Sequence, residues 1–222
     1  LSGGDASKLG PGSNNVSTFD GAFTYSYPIT IPPGRNGLQP DLILTYNSSQ
    51  GNDGDIFGHG WDISIPYIQR VNKTGSENLY ATSSYFYSSL SGELVQVGST
   101  TEYRSKIETG DYLKYDLTSN VWTVTDKKGT RYSFGSTASS RQDNASSTSN
   151  VYKWMVDEIR DTNNNYIEYS YYKHTGQIYP DTISYTGYNT TDGPFTIEFA
   201  RESRTDNVKR YDAGFSIVSN YR

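Results

Sequence analysis

The 222-residue sequence has no cysteine and a single methionine. Without thiols it can form neither a disulfide framework nor a thiolate metal site, and cysteine usage says nothing about the redox compartment. Histidine is nearly absent too. His59 and His174 lie in unrelated contexts, and no H-x-x-x-H or H-x-H spacing supports a zinc site. Basic residues are outnumbered, 19 Lys and Arg against 24 Asp and Glu, for a net charge of −5. No basic stripe exists to neutralise phosphates, which argues against nucleic acid or an anionic membrane as partner. No apolar run approaches the roughly 20 residues a membrane span needs.

Hydrophobic residues are also scarce, at 33%, and the mean hydropathy of −0.71 would alone suit a disordered chain. The 21 tyrosines reverse that inference. Tyr scores as polar yet buries a large ring, so the core is richer than the average suggests. Tyr, Thr, Val and Ile dominate the periodic segments, and all favour strands. The length suits one large domain or two small ones.

The stretch Gly21 to Arg70 organises the chain. Tyr25–Ile31, Leu42–Tyr46 and Trp61–Ile65 read as strands. The loops between them, PPGRNGLQP and NSSQGNDGDIFGHG, are dense in turn residues. Trp61, Ile63 and Ile65 share strand parity, so the spacing predicts one buried face meeting Leu42 and Leu44. Residues 1–18 read as a flexible lead-in, 19–70 as an opening Pro/Gly-rich β module, and 71–222 as a continuous antiparallel hairpin strip. In that strip Asn78–Ala81 is a short pairing candidate. Tyr85–Tyr87, Glu93–Val97, Thr101–Ser105, Tyr112–Leu117 and Val121–Thr125 then follow at hairpin spacing.

A weak repeat follows. VWTVTDKKGTRYSF and KWMVDEIRDTNNNYIEYSY each carry a Trp-led strand, an Asp-initiated turn and a Tyr-containing return strand. Between them, Ser136–Asn150 is a low-complexity Ser/Thr/Asn stretch expected to be a mobile loop. Val151–Arg160 fits either period, and the repeat favours strand. Thr182–Tyr185, Phe195–Arg201 and Phe215–Asn220 complete the expected strands.

Candidate chemistry is sparse. Asp161, Asn163 and Asn165 alternate as the first calcium-loop ligands do, but Tyr166 and Tyr172 stand where the glycine and the bidentate glutamate belong. Asn52–Asp55 has similar oxygen density and no closing acid, so both stretches read as turns. Gly58-His59-Gly60 is no nucleophile elbow, and Asp157 and Glu158 would point to opposite faces of a strand. The N-x-[ST] sequons at Asn15, Asn47, Asn72, Asn144 and Asn189 are mostly accidental in a chain this rich in Asn, Ser and Thr, and matter only in a eukaryotic secretory host. No catalytic, cofactor-binding or metal-ligating residue is assigned, and no cofactor is expected.

The ordered motifs G-x-x-x-Y-x-x-P-I from Gly21, PPGRNGLQP, L-x-Y-N-S, FGHGW, VWTVTDKKGTRYSFG, YKWMVDEIRDTNNNYIEYSY, ISYTGY and GFSIVSNYR resemble the SpvB-type domain. That domain opens the B component of Tc toxin complexes and many bacterial RHS/YD-repeat proteins. The resemblance covers nearly everything beyond about residue 18; His59, where an apolar residue is expected, is a departure. It implies an all-β fold, an antiparallel, curved sheet of successive hairpins that starts an RHS-like shell. It implies a non-enzymatic structural role, encapsulating a toxin cargo in a secreted or cell-surface bacterial protein. Its partners would be the remainder of its own longer chain, both shell and cargo domain, and other toxin-complex subunits. Some such proteins carry a distant C-terminal ADP-ribosyltransferase, whose S-T-S strand and E-x-E pair do not occur together here. The alternative function is a surface β-module binding carbohydrate or a host receptor through exposed Tyr and Trp. The first residue is not Met and the chain stops inside a strand-like run. The expectation is therefore a piece of a longer chain, its export signal elsewhere and its last strand prone to edge association.

Overall fold

The structure, a computed structural model, describes residues 12–17, 21–50, 55–81 and 85–222. A small antiparallel sheet comes first, in sequence order: β1 (Ser13–Val16), β2 (Phe23–Pro28), β3 (Ile43–Asn47) and β4 (Trp61–Ile63). Part of the expected lead-in is thus a strand, since Ser13–Val16 pairs with Phe23–Ser26. Residues 1–11 and Thr18 lie outside the described residues, as do Asn52, Asp53 and Gly54. The β2–β3 connection makes a 3-10 turn over Arg35–Gly37, in which Asn36 and Gly37 take left-handed angles (φ 53 and 77). A side chain at Gly34 would collide with the Leu38 carbonyl, so the tight turn requires glycine there.

The second sheet is larger. β5 (Tyr67–Val71), β6 (Tyr85–Ser88), β7 (Gly92–Gln96), β8 (Glu102–Ser105), β9 (Lys114–Thr118), β10 (Val121–Thr125) and β11 (Arg131–Phe134) form the expected meander. The first module therefore hands over to the second sheet at Tyr67, within the 19–70 stretch. After β12 (Arg141–Asn144) comes β13 (Ser147–Arg160), which pairs with β5 through Lys153–Met155 and with β11 through Val156 and Glu158–Arg160. Both ends of the meander meet this one strand, and the sheet curls into a partial barrel. β14 (Asn165–His174), β15 (Gln177–Tyr188) and β16 (Phe195–Glu198) extend the sheet, while β17 (Ser203–Arg210) and β18 (Ile217–Tyr221) form a separate ribbon. The fold is antiparallel and nearly all β, as the residue pattern and the resemblance imply.

Aromatic rings fill the barrel. Phe86, Tyr103, Trp122 and Trp154 meet edge to face at centroid distances of 4.9 to 6.1 Å. Such geometry sets the positive ring edge against a negative face. The Arg70 guanidinium lies over Phe86 at 5.1 Å and Trp154 at 5.5 Å, and its Nε donates to the Val151 carbonyl at 2.8 Å. Its charge is thereby partnered where water is excluded.

Several expectations need correction. Ser136–Asn150 is not a mobile loop; it forms a turn and the β12–β13 hairpin, with Ser140, Gln142 and Asp143 buried. Polar chemistry stabilises it. The buried Asp157 carboxylate accepts from the Ser136 N–H and the Thr137 hydroxyl, Gln142 donates to the Gly176 carbonyl, and Asp143 pairs with Lys173 at 2.9 Å. Trp61 is half-buried, because β4 ends at Ile63 and the indole faces a cavity instead of the barrel core. Ile63 and Ile65 do join Leu42 in the core, whereas Leu44 is half-buried. Asn78 closes a 3-10 turn, Ser76–Asn78, rather than opening a strand, and the polar stretch Ser203–Arg210, outside the expected strands, forms β17.

The repeat is real in structure. The β10–β11 and β13–β14 hairpins lie side by side, with Arg131 opposite Arg160. In each turn one Asp Oδ1 accepts two backbone N–H groups, from Lys128 and Thr130 at Asp126, and from Asn163 and Asn165 at Asp161.

Replacing Trp122, fully enclosed, with Ala should destabilise the protein by about 3–5 kcal/mol. Trp61→Ala should cost less than half as much. Denaturant unfolding of the two variants checks this, and equal losses would contradict the packing described.

Candidate functional site

The residues singled out from the sequence do not converge. His59 is exposed in a turn between Gly58 and Gly60, whose φ values are 103 and 77. His174, at the end of β14, stacks on Tyr172 at 6.0 Å and meets Tyr221 edge-on. Both Asp161 oxygens accept hydrogen bonds, Oδ2 from the Asn165 amide at 2.7 Å. Burial pushes this carboxyl's pKa up, but the bonds from Asn165 and Asn163 outweigh it and the net direction is down. Asp157 is buried, holding the turn at Ser136 and Thr137, while Glu158 pairs with Arg160, so the two acids serve separate contacts. No group of three His, Asp or Glu residues suited to a metal occurs among the described residues.

A cavity of about 320 Å³ lies where the first sheet, the loop before β4, β13, β15 and β17 meet. Strand alternation explains its position. On β13, Trp154 points into the barrel, so Lys153 and Met155 point out of it. On β5, Ile68 goes inward and Tyr67 outward beside them. Trp61, Gln142, Gln177 and Arg210 complete the part of the wall that matters here. The walls are part aromatic and aliphatic and part polar, with carboxamides, the cations Lys153 and Arg210 and the carboxylates of Asp55 and Asp62, which suits a small amphipathic molecule.

The Lys153 ammonium sits 3.7 Å from the centroid of the Tyr67 ring and makes no hydrogen bond or ion pair among the described residues. Part of the side chain remains accessible, but its charged end is surrounded by protein. Its pKa is lowered from 10.5 to about 8, chiefly by burial and further by Arg210, against the upward pull of Asp62 and Asp212. Burial also pushes the Tyr67 hydroxyl up to about 12, helped by Tyr87 and Asp62. Arg210 donates to Gln177 Oε1 at 3.0 Å, and its Nε is buried without a partner among the described residues. The Lys153 site escaped the sequence reading because nothing local marks it. Its environment is made by strands 86 residues upstream and 57 downstream of it, Tyr67 and Arg210.

The family model of the Salmonella virulence plasmid 65 kDa B protein, SpvB, matches residues 17–118 and 100–212. The mono(ADP-ribosyl)transferase SpvB of Salmonella typhimurium is 27% identical over 185 residues, which covers 71% of this chain and 31% of that protein. The chain thus spans about a third of the length of the curated relatives it matches. Among solved structures, the Tc holotoxin pore of Photorhabdus luminescens is similar with a TM-score of 0.77 and 21% identity, over 95% of this chain and 13% of that one. The TcdB2–TccC3 structure gives 0.78 and 20%, with the same coverages. The N-terminal domain of effector protein SpvB from Salmonella typhimurium strain LT2 gives 0.72 and 20%, over 88% of this chain and 84% of that one. These likenesses establish a shared fold.

Lys153 generates a test of sign. Its folded pKa lies below its unfolded value, so between pH 8 and 10.5 the unfolded chain binds more protons and stability rises with pH. Below pH 8 both states are protonated, and the charge costs on the order of 1–3 kcal/mol. Lys153→Met should therefore raise stability at pH 7, and should remove a gain of about 1–2 kcal/mol that the parent shows between pH 7.5 and 9.5. Above pH 10, tyrosine ionisation in the unfolded chain acts in the opposite direction. Urea unfolding at four pH values checks this; parallel pH curves for parent and variant would disprove it.

Proposed function

Because this chain belongs to the family of the Salmonella virulence plasmid 65 kDa B protein, we propose that it is a non-catalytic structural segment of a longer bacterial toxin-like chain. Its role is to form part of the wall that encloses a cargo polypeptide in a secreted RHS/Tc-toxin-type protein. The observation that carries this reading is the fold match: nearly all of this chain corresponds to a small part of much larger toxin chains. The transferase activity in the name of the Salmonella relatives is not transferred, because the matched stretch is about a third of their length.

Physical features support containment. The aromatic filling of the barrel makes a rigid block. The sheet then continues through β14 and β15 to β16, which pairs only with β15 among the described residues. Its other edge presents backbone N–H and C=O groups that a following strand would satisfy. A strip that grows by edge pairing needs such an edge.

A second reading rests on Tyr85 and Tyr87, which stand exposed on one face of β6 beside Val95 of β7. A surface module could present these rings to a carbohydrate or a host receptor.

Limited proteolysis of the full-length parent chain separates the two. The wall reading expects the downstream cargo to be protected in the parent and cleaved at least about 10-fold faster when Trp122→Ala loosens the barrel. It also expects Tyr85→Ser/Tyr87→Ser to leave that protection unchanged. Cargo cleaved equally fast in parent and Trp122→Ala proteins would overturn the wall; loss of cell or glycan binding in the double tyrosine variant would favour the module.

A further inference from the structure

We propose that Lys153 is a nucleophilic amine at which small aldehydes are captured as imines in the cavity between the first sheet and the outer face of the barrel. Three structural observations lead there. Lys153 lines a cavity of about 320 Å³, large enough for a small organic molecule. It has neither a hydrogen bond nor an ion pair among the described residues, and its neighbour is the face of Tyr67 at 3.7 Å. A lysine that served only to pair a charge would have a carboxylate against it, as Lys173 has Asp143. The apolar side of the wall, Trp61, Tyr67 and Met155, suits the carbon body of an aldehyde. The carboxamides of Gln142 and Gln177 each spend one N–H on a backbone carbonyl, of Gly176 and Ile178, and keep a second for a carbonyl or carbinolamine oxygen.

The charge environment points the same way. Arg210 of β17 and burial disfavour the ammonium form, and they outweigh Asp62 of β4 and Asp212. Lysine desolvated in an apolar pocket near another cation is the usual route to a reactive amine. With a pKa of about 8, about one Lys153 in ten is neutral at pH 7, against about one in three thousand for an ordinary lysine.

The step balances without an oxidant or reductant. The neutral Lys153 nitrogen adds its lone pair to the carbonyl carbon, forming the C–N bond, while the carbonyl oxygen takes a proton. Loss of that oxygen as water, with the remaining nitrogen proton released, leaves the imine. Amine and aldehyde give imine and water.

The experiment uses acetaldehyde, cyanoborohydride to reduce the imine to a stable ethylamine, and peptide mass spectrometry to read occupancy at each lysine. Exposed Lys128 is the internal reference. At pH 7 Lys153 should be labelled at least about 10-fold faster than Lys128. The ratio should fall toward one between pH 8 and 10, as Lys128 also becomes neutral. Lys153→Arg should remove the fast component from the intact-mass time course. Formaldehyde, the smallest aldehyde, serves as a second probe that any accessible amine admits. Labelling of Lys153 at or below the level of Lys128 with both aldehydes at pH 7 would overturn the proposal.

Discussion

The structure depends on one packed aromatic cluster. Trp122 touches Phe86, Tyr103, Tyr115 and Trp154, and these rings come from β6, β8, β9, β10 and β13, five strands of the partial barrel. Short antiparallel strands pair weakly by themselves and need a shared apolar face. Here the centre of that face is a set of edge-to-face aromatic contacts, which adds directional preference to burial, with Ile68, Leu94, Val124, Val151 and Val156 packed in the same core. Arg70 fits because its guanidinium covers ring faces while its N–H groups reach the carbonyls of Val151 and Leu79. A lysine there could not do both. Low aliphatic content and a well-filled interior are therefore compatible.

Much of the hairpin architecture was legible because local chemistry sets it. Asp126 and Asp161 each begin a turn whose backbone their own side chains bond, so the two turns and the strands beside them could be read from a few residues. The meander from β5 to β11 follows from turn residues at regular spacing. What was not legible depends on distant partners. Residues 136–150 look like a linker by composition, yet Asp157, Gly176 and Lys173 satisfy their polar groups. Hydropathy cannot distinguish a solvated serine from one bonded to a buried carboxylate. Trp61 has the right parity for the core, and parity is all that period analysis supplies; the cavity in front of it is a tertiary fact.

The same distinction explains the candidate site. Metal and catalytic motifs are patterns of side chains close in sequence, and His59, His174 and Asp161, flagged that way, serve turns and ring stacks instead. Lys153 lies between Tyr152 and Trp154 in an amphipathic strand, which reads as a surface lysine on an outward face. Only the arrival of β4 and β17 over that face removes water from the ammonium. The perturbation belongs to the tertiary arrangement.

β13 couples these features. At 14 residues it is the longest strand among the described residues. Its residues up to Met155 hold the β12 hairpin and β5, and those from Val156 on hold β11 and β14. Inward, Trp154 and Val156 help close the barrel; outward, Lys153 and Met155 floor the cavity. The backbone that fixes Trp154 against Phe86 also fixes the neighbouring Lys153 against Tyr67, since successive side chains of a paired strand cannot slip independently. A change that loosened the barrel would open the cavity, and a ligand that ordered the cavity would tighten the barrel by linkage. In a sheet built by strand pairing, the strand carrying the most partners is where binding on one face is transmitted most directly to packing on the other.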